Sequence, residues 1–195
     1  KYLHVVDLDG AKDGTLANFE SIAAIARQGG LYIEVGGGIR TEERIQKYLE
    51  LGVSRCILGT VAVKDFDFTA RMAQKYGDAI AVGVDARDGY IAIKGWLETS
   101  ALSLDEFLSR MQALGVKTII CTDISKDGAM QGTNHDLYRQ LQAQFPSLQM
   151  VASGGVSSME DVTRLADTGL YGAIIGKAYY VGAIDLKKAC EVVQI

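Results

Sequence analysis

The chain has 195 residues, of which 48% are hydrophobic and 23% charged, and its formal net charge is −4. That balance suits one folded domain, residues 1–195, with a substantial core, and it excludes a disordered chain and a broad nucleic-acid-binding surface. No apolar run reaches the roughly 18 residues of a membrane span and no signal peptide is visible, which excludes a membrane partner. Cys56, Cys121 and Cys190 are spaced for neither a disulfide framework nor a zinc motif, so a reducing cytoplasm is the expected location.

Short apolar runs alternate with helical patterns along the whole chain. Strands are predicted over 2–8, 32–35, 55–58, 79–85, 118–122, 149–152 and 172–175. Helices are predicted over 17–27, 42–51, 65–75, 103–114, 135–144, 158–168 and 184–193. Ser157 with Glu160 reads as a capping box at one helix start. The single proline, Pro146, falls between a helix and a strand.

One stretch occurs twice. Residues 35–63, VGGGIRTEERIQKYLELGVSRCILGTVAV, return as residues 152–180, ASGGVSSMEDVTRLADTGLYGAIIGKAYY, at a constant offset of 117. Each copy reads as strand, Gly-Gly turn, amphipathic helix, strand, and a Gly-Thr or Gly-Lys ending, which is a βαβ unit. Asp7 likewise matches Asp123, and Lys12-Asp13-Gly14 matches Lys126-Asp127-Gly128 after a two-residue insertion. Units of about 28 residues have the size found in a (β/α)₈ TIM barrel, and the offset is about four of them. The expected fold is therefore α/β, a TIM barrel of two half-barrels from whose start one β/α unit is missing. By the same offset the partner of Asp85 belongs upstream of Lys1. A polypeptide that truly began there is expected to be nearly inactive, with an open barrel edge.

In such barrels chemistry sits where strands run into helices. Asp85 closes an apolar strand, as a carboxylate at the barrel mouth or as a cap or loop anchor. Asp88-Gly89 signals a β-hairpin lid over that mouth, and Trp96 follows, a residue of the core or a stacking surface for a planar ring. Thr122 could bond a substrate hydroxyl or orient it for proton transfer. Asp127-Gly128 reads most simply as a turn, with a part for Asp127 in substrate or phosphate binding as the lesser reading. Cys121 should face the helices, and neither His4 nor His135 makes a triad with anything visible. Gly37-Gly38 and Gly154-Gly155 precede helix starts, where unpaired amides and the helix dipole favour an anion; the bland alternative is a tight turn and nothing more. Gly59-Thr60 and Gly176-Lys177 add amides, a hydroxyl and a cation. Arg40 could reach a phosphate or pair with a helix carboxylate. Two such sites suggest a ligand with two phosphates.

His4-Val5-Val6-Asp7-Leu8, Gly36-Gly37-Gly38-Ile39-Arg40, Gly83-Val84-Asp85-Ala86-Arg87, Gly95-Trp96, Thr122 through Gly128, and Ala152-Ser153-Gly154-Gly155-Val156 through Gly176-Lys177-Ala178 together resemble the histidine-biosynthesis isomerase family, the phosphoribosylformimino-aminoimidazole carboxamide ribotide isomerases. The resemblance covers the chain from end to end. It implies an Amadori rearrangement of a bisphosphorylated aminoaldose to an aminoketose, without metal or organic cofactor, by a protein expected to be monomeric when complete. It also implies that Asp85 is the acid, that Thr122 supports it, and that the base is an aspartate on a first strand outside this sequence. A related cyclase, an isomerase that also serves tryptophan synthesis, and an inactive phosphate-binding barrel fragment are the alternatives.

Overall fold

The computed structural model describes residues 2–93, 96 and 98–193. They form two compact units, one of residues 1–83 and 113–117, the other of residues 84–112 and 118–195.

The first unit runs β1 (Tyr2–Val6), α1 (Leu8–Asp13), α2 (Phe19–Arg27), β2 (Tyr32–Gly36), α3 (Glu42–Glu50), β3 (Arg55–Leu58), α4 (Thr60–Lys64), α5 (Phe66–Tyr76), a 3₁₀ turn (Gly77–Ala79) and the start of β4 (Ile80–Arg87). β1, β2, β3 and β4 pair in that order, all parallel, with Val5 opposite Val35, Val35 opposite Cys56 and Cys56 opposite Ile80. Parallel strands covered by helices are apolar on both faces, and β3 is buried at every position. α3 closes over it with Ile45 and Tyr48, one turn apart and fully buried.

The second unit contains the end of β4, then β5 (Tyr90–Ile93), β6 (Glu98–Ser103), α6 (Leu104–Ala113), β7 (Thr118–Asp123), α7 (His135–Gln144), β8 (Gln149–Ser153), α8 (Met159–Asp167), β9 (Gly172–Ala173), α9 (Lys177–Tyr180) and α10 (Leu186–Val192). β7, β8 and β9 pair in parallel, and the Ile124 amide, just past β7, donates to the Ala86 carbonyl of β4. α6 buries Leu104, Phe107, Leu108 and Met111, the i, i+3, i+4, i+7 stripe of an amphipathic helix. Each such side chain contributes about 1.5–3 kcal/mol on burial.

The architecture is thus α/β with parallel strands, and all seven strands expected from the sequence are present. The internal repeat is structural as well: β2 to β8, α3 to α8 and β3 to β9 all begin 117 residues apart, while β1 to β7 and α2 to α7 begin 116 apart. The one residue is gained within α7, which has ten residues where α2 has nine.

Three local expectations need correction. The two-residue insertion is absent, because Asn18 follows Asp7 and Asn134 follows Asp123 at the same spacing; Lys12-Asp13 ends a helix, whereas Lys126-Asp127 lies in turns. The capping box is Ser158 with Asp161, one residue later than Ser157 with Glu160. Both spacings fit the motif, but Asp161 is buried and Glu160 exposed, so Asp161 is the one that turns back on the helix end. The hairpin after β4 gains a third strand, β6, paired antiparallel to β5. Its turn is as expected, with Asp88 and Gly89 both at positive φ, 52° and 80°, the type I′ geometry.

Candidate functional site

In the second unit four expected site residues converge. β4 carries Asp85 to a half-buried position at its far end. The Trp96 indole Nε1–H donates to Asp85 Oδ2 at 2.7 Å, and the Thr122 side chain hydrogen-bonds the same carboxyl from β7. Burial is the largest influence on this carboxyl and pushes its pKa up; the bonds from Trp96 and Thr122 pull it down, and the nearby Asp127 charge raises it again. The net direction is upward, so Asp85 holds its proton to higher pH than an ordinary aspartate. Trp96 stands at φ 72° with 40% of its surface exposed, so it is not a core residue. Its neighbours Lys94, Gly95 and Leu97, part of the expected lid, lie outside the described residues. Asp127 is exposed in the turn after β7.

The glycine pairs have a packing duty beside any binding duty. Gly37 and Gly154 sit at φ 104° and 93°, and a Cβ on them would lie 2.2 Å from the Asp7 carbonyl oxygen and 2.6 Å from that of Asp123. A side chain is therefore excluded at both turns by the backbone of the preceding strand end. Among the described residues, the amides of Gly37, Gly38, Gly154 and Gly155 donate to no backbone or side-chain acceptor. Gly59 and Gly176 follow the ends of β3 and β9, which neighbour β2 and β8 in register, so each unit carries its two glycine motifs on one edge. Gly59 and Gly176 share one conformation, φ −95° ψ −108° and φ −104° ψ −104°, and neither helix start has a side-chain cap. Thr60 is exposed beside the first. Lys177 Nζ donates to the Gly128 carbonyl at 3.0 Å, tying the second to the Asp127-Gly128 turn.

Arg40 pairs with a backbone carbonyl and with no helix carboxylate among the described residues. Its Nη2 donates to the Ala11 carbonyl at 2.9 Å, pinning α1 beside the first glycine pair. Arg44 does the same more fully, donating to the carbonyls of Gly14, Thr15 and Gly38.

A model of the histidine biosynthesis protein family matches residues 1–185. The chain belongs to that family. It is 50% identical to a Brachyspira hyodysenteriae protein over 193 residues, 99% of this chain and 81% of the relative. It is 44% identical to a Clostridium acetobutylicum protein over 194 residues, 100% of this chain and 81% of that one. A Campylobacter concisus protein is 50% identical over 190 residues, 97% and 79% of the two chains. All three are named 1-(5-phosphoribosyl)-5-((5-phosphoribosylamino)methylideneamino) imidazole-4-carboxamide isomerase.

Sequence reasoning missed several residues that shape this family member's strand ends. Asn18 Nδ2 donates to Asp7 Oδ1 and Asn134 Nδ2 to Asp123 Oδ2, both at 2.7 Å. The repeated Asp-to-Asn spacing was a visible signal for this pair. Both histidines have carboxylate partners: His4 Nδ1 lies 2.7 Å from Glu34 Oε1 across β1 and β2, and His135 Nε2 lies 2.8 Å from Asp161 Oδ1. Neither is a nucleophile triad. In the second, Ser157 and Ser158 donate to the same carboxylate that His135 faces, so the acid stands between histidine and serine. Cys121 is fully buried and its pKa is pushed up to about 12, first by burial, which leaves it an inert thiol. Among the described residues no group of three or more His, Cys, Asp or Glu side chains is placed to hold a metal, and no helix is long and apolar enough to cross a membrane.

Proposed function

We propose that this chain catalyses an intramolecular aldose–ketose isomerisation, an Amadori rearrangement, of the bisphosphorylated aminoaldose of histidine biosynthesis, with Asp85 as general acid. Its relatives bear the name of an isomerase whose compound carries two phosphoribosyl groups. The observation that carries the chemical assignment is the Asp85 carboxyl, raised in pKa by burial and touched by both Trp96 and Thr122. Opening the sugar ring requires a proton for the ring oxygen, and a carboxylic acid that holds its proton to higher pH than an ordinary aspartate can deliver it. Once the proton has left, the Trp96 indole and the Thr122 hydroxyl stabilise the carboxylate left behind. Thr122 thereby orients the acid, and Trp96 presents a ring face for the imidazole.

Gly37, Gly38, Arg40, Gly59 and Thr60 of the first unit, and Gly154, Gly155, Gly176 and Lys177 of the second, are assigned to phosphate, with Asp127 contacting substrate hydroxyls. Free amides on one strand edge of each unit, repeated at one offset, support that assignment. The repeat likewise supports a (β/α)₈ plan of two half-barrels acting as one domain. The relatives named above are isomerases, which disfavours a cyclase.

Kinetics of the natural full-length protein test the acid. Asp85→Asn should lower kcat by at least about 10²-fold, and Thr122→Val by less. A kcat for Asp85→Asn within a few-fold of the wild type would remove Asp85 from the chemistry.

A further inference from the structure

The two halves fasten their glycine turns with opposite chemistry. In the first half Arg44 donates to the carbonyls of Gly14, Thr15 and Gly38. At the position 117 residues later stands Asp161, which accepts instead. Its Oδ2 receives the Ser157 amide and hydroxyl, both at 3.0 Å, and the Ser158 amide and hydroxyl, both at 3.1 Å. Its Oδ1 faces His135 Nε2. The network continues outward: Ser157 Oγ accepts the Gly132 amide at 3.1 Å, and Thr133 Oγ1 donates to the Gly154 carbonyl at 2.7 Å. His135, the first residue of α7, is 7% exposed, and Asp161 is 6% exposed.

The start of α8 is consequently already occupied by an anion of the protein itself. The Ser157, Ser158 and Asp161 amides, the donors a phosphate would seek at a helix N-terminus, are taken by the Asp161 and Ser158 side chains. Burial alone would raise the Asp161 pKa; bonds from Ser157, His135 and Ser158 outweigh it and bring the group down to about 2, so the carboxylate stays charged. A second anion at α8 would meet both a blocked set of donors and a like charge. The Gly154 and Gly155 amides remain open.

We propose that Asp161 and His135 are positioning residues for a substrate phosphate at the Gly154-Gly155 turn: they fix the turn from behind and fill the α8 start, directing the phosphate to the turn amides. The proposal rests on the isomerase reading above and sharpens one of its phosphate sites. It also makes the two phosphate ends unequal, because a guanidinium backs the first turn and a carboxylate the second.

The repeat supplies its own control variant. Phe19 opens α2 where His135 opens α7, so His135→Phe installs a ring that the fold accepts in the other half while removing the nitrogen that faces Asp161. His135→Gln restores an N–H. Asp161→Asn, which keeps the shape, carries the same test should the Phe variant not fold. Hydrogen exchange of the Gly154 and Gly155 amides is followed against inorganic phosphate alone, with isomerase kinetics on the bisphosphorylated aminoaldose alongside. Phosphate should protect these amides in the wild type. The concentration for half protection and the KM should both rise about tenfold in His135→Phe, with kcat within about twofold, and recover to within about threefold in His135→Gln. Equal phosphate dependence in wild type and His135→Phe, absence of protection in the wild type, or a fall in kcat at constant KM would each overturn the proposal. A wild type that binds phosphate without isomerising would sink the isomerase reading, and the exchange data would still decide the positioning claim.

Discussion

Replacing Gly37 by alanine puts a methyl group 2.2 Å from the Asp7 carbonyl oxygen, at a backbone φ of 104°. Two costs add. A side chain in the left-handed region costs roughly 1–2 kcal/mol. Relieving an overlap with fixed backbone costs roughly another 1–3 kcal/mol. Gly52 separates them, because it has φ 93° but no atom within 4 Å of its would-be Cβ; Gly52→Ala should therefore show only the first cost. At about 2–4 °C per kcal/mol for a chain of this size, Gly37→Ala should lower Tm by about 4–20 °C and Gly52→Ala by about 2–8 °C. Thermal and urea unfolding followed by circular dichroism would measure both, and Gly154→Ala should resemble Gly37→Ala because the Asp123 carbonyl stands 2.6 Å away. Equal losses at Gly37 and Gly52 would refute the close-approach argument and leave the glycine pair as a turn with no packing constraint.

Two further outcomes concern the acids. Because the folded-state pKa of Asp85 is raised, the native protein binds its proton more tightly than the unfolded chain does, and stability falls as pH rises through that pKa. Asp85→Asn should then gain stability relative to the wild type, by urea midpoint, as pH rises from 3, below the unfolded value of 3.8, to 8, while losing activity; a difference that stays constant or reverses over that range would contradict the buried-acid description. Asp161 works in the other direction. Its pKa falls from 3.8 to about 2, so its contribution, at most about 2 kcal/mol, is present above pH 4 and is lost as pH falls through 2. The stability gap between wild type and Asp161→Asn should close between pH 4 and pH 2, and a gap constant over that range would show that its charge does not matter.

The strands and most helices were legible because each apolar run is short, bounded and buried on both faces. The 117-residue repeat was legible because Gly37, Gly38 and Gly59 recur as Gly154, Gly155 and Gly176, and conformational demands at those positions admit little else. What escaped lay in side chains bonded across sequence. Arg40 offered itself to a phosphate or a helix carboxylate, and nothing in the sequence signalled that its guanidinium also reaches the Ala11 carbonyl. Ser157 and Ser158 are interchangeable by spacing, and only the burial of Asp161 tells which one caps α8. β6 reads ETSALS, without clean alternation, and is a strand because the β4–β5 hairpin offers it an edge. The α1 helix contains a glycine and spans six residues; its Asp7 cap and the Arg40 and Arg44 contacts hold it, and its own propensity does not. The Trp96–Asp85 bond was beyond sequence altogether, since stacking surface and hydrogen-bond donor are two uses of one side chain.

Ketose formation from the bisphosphorylated aminoaldose by the natural full-length protein, observed by NMR without added metal or cofactor, tests the central claim most directly. The expected result is turnover that disappears in Asp85→Asn while the folded variant still binds the substrate. Bound substrate recovered unchanged from the wild type, or equal turnover by both proteins, would contradict it.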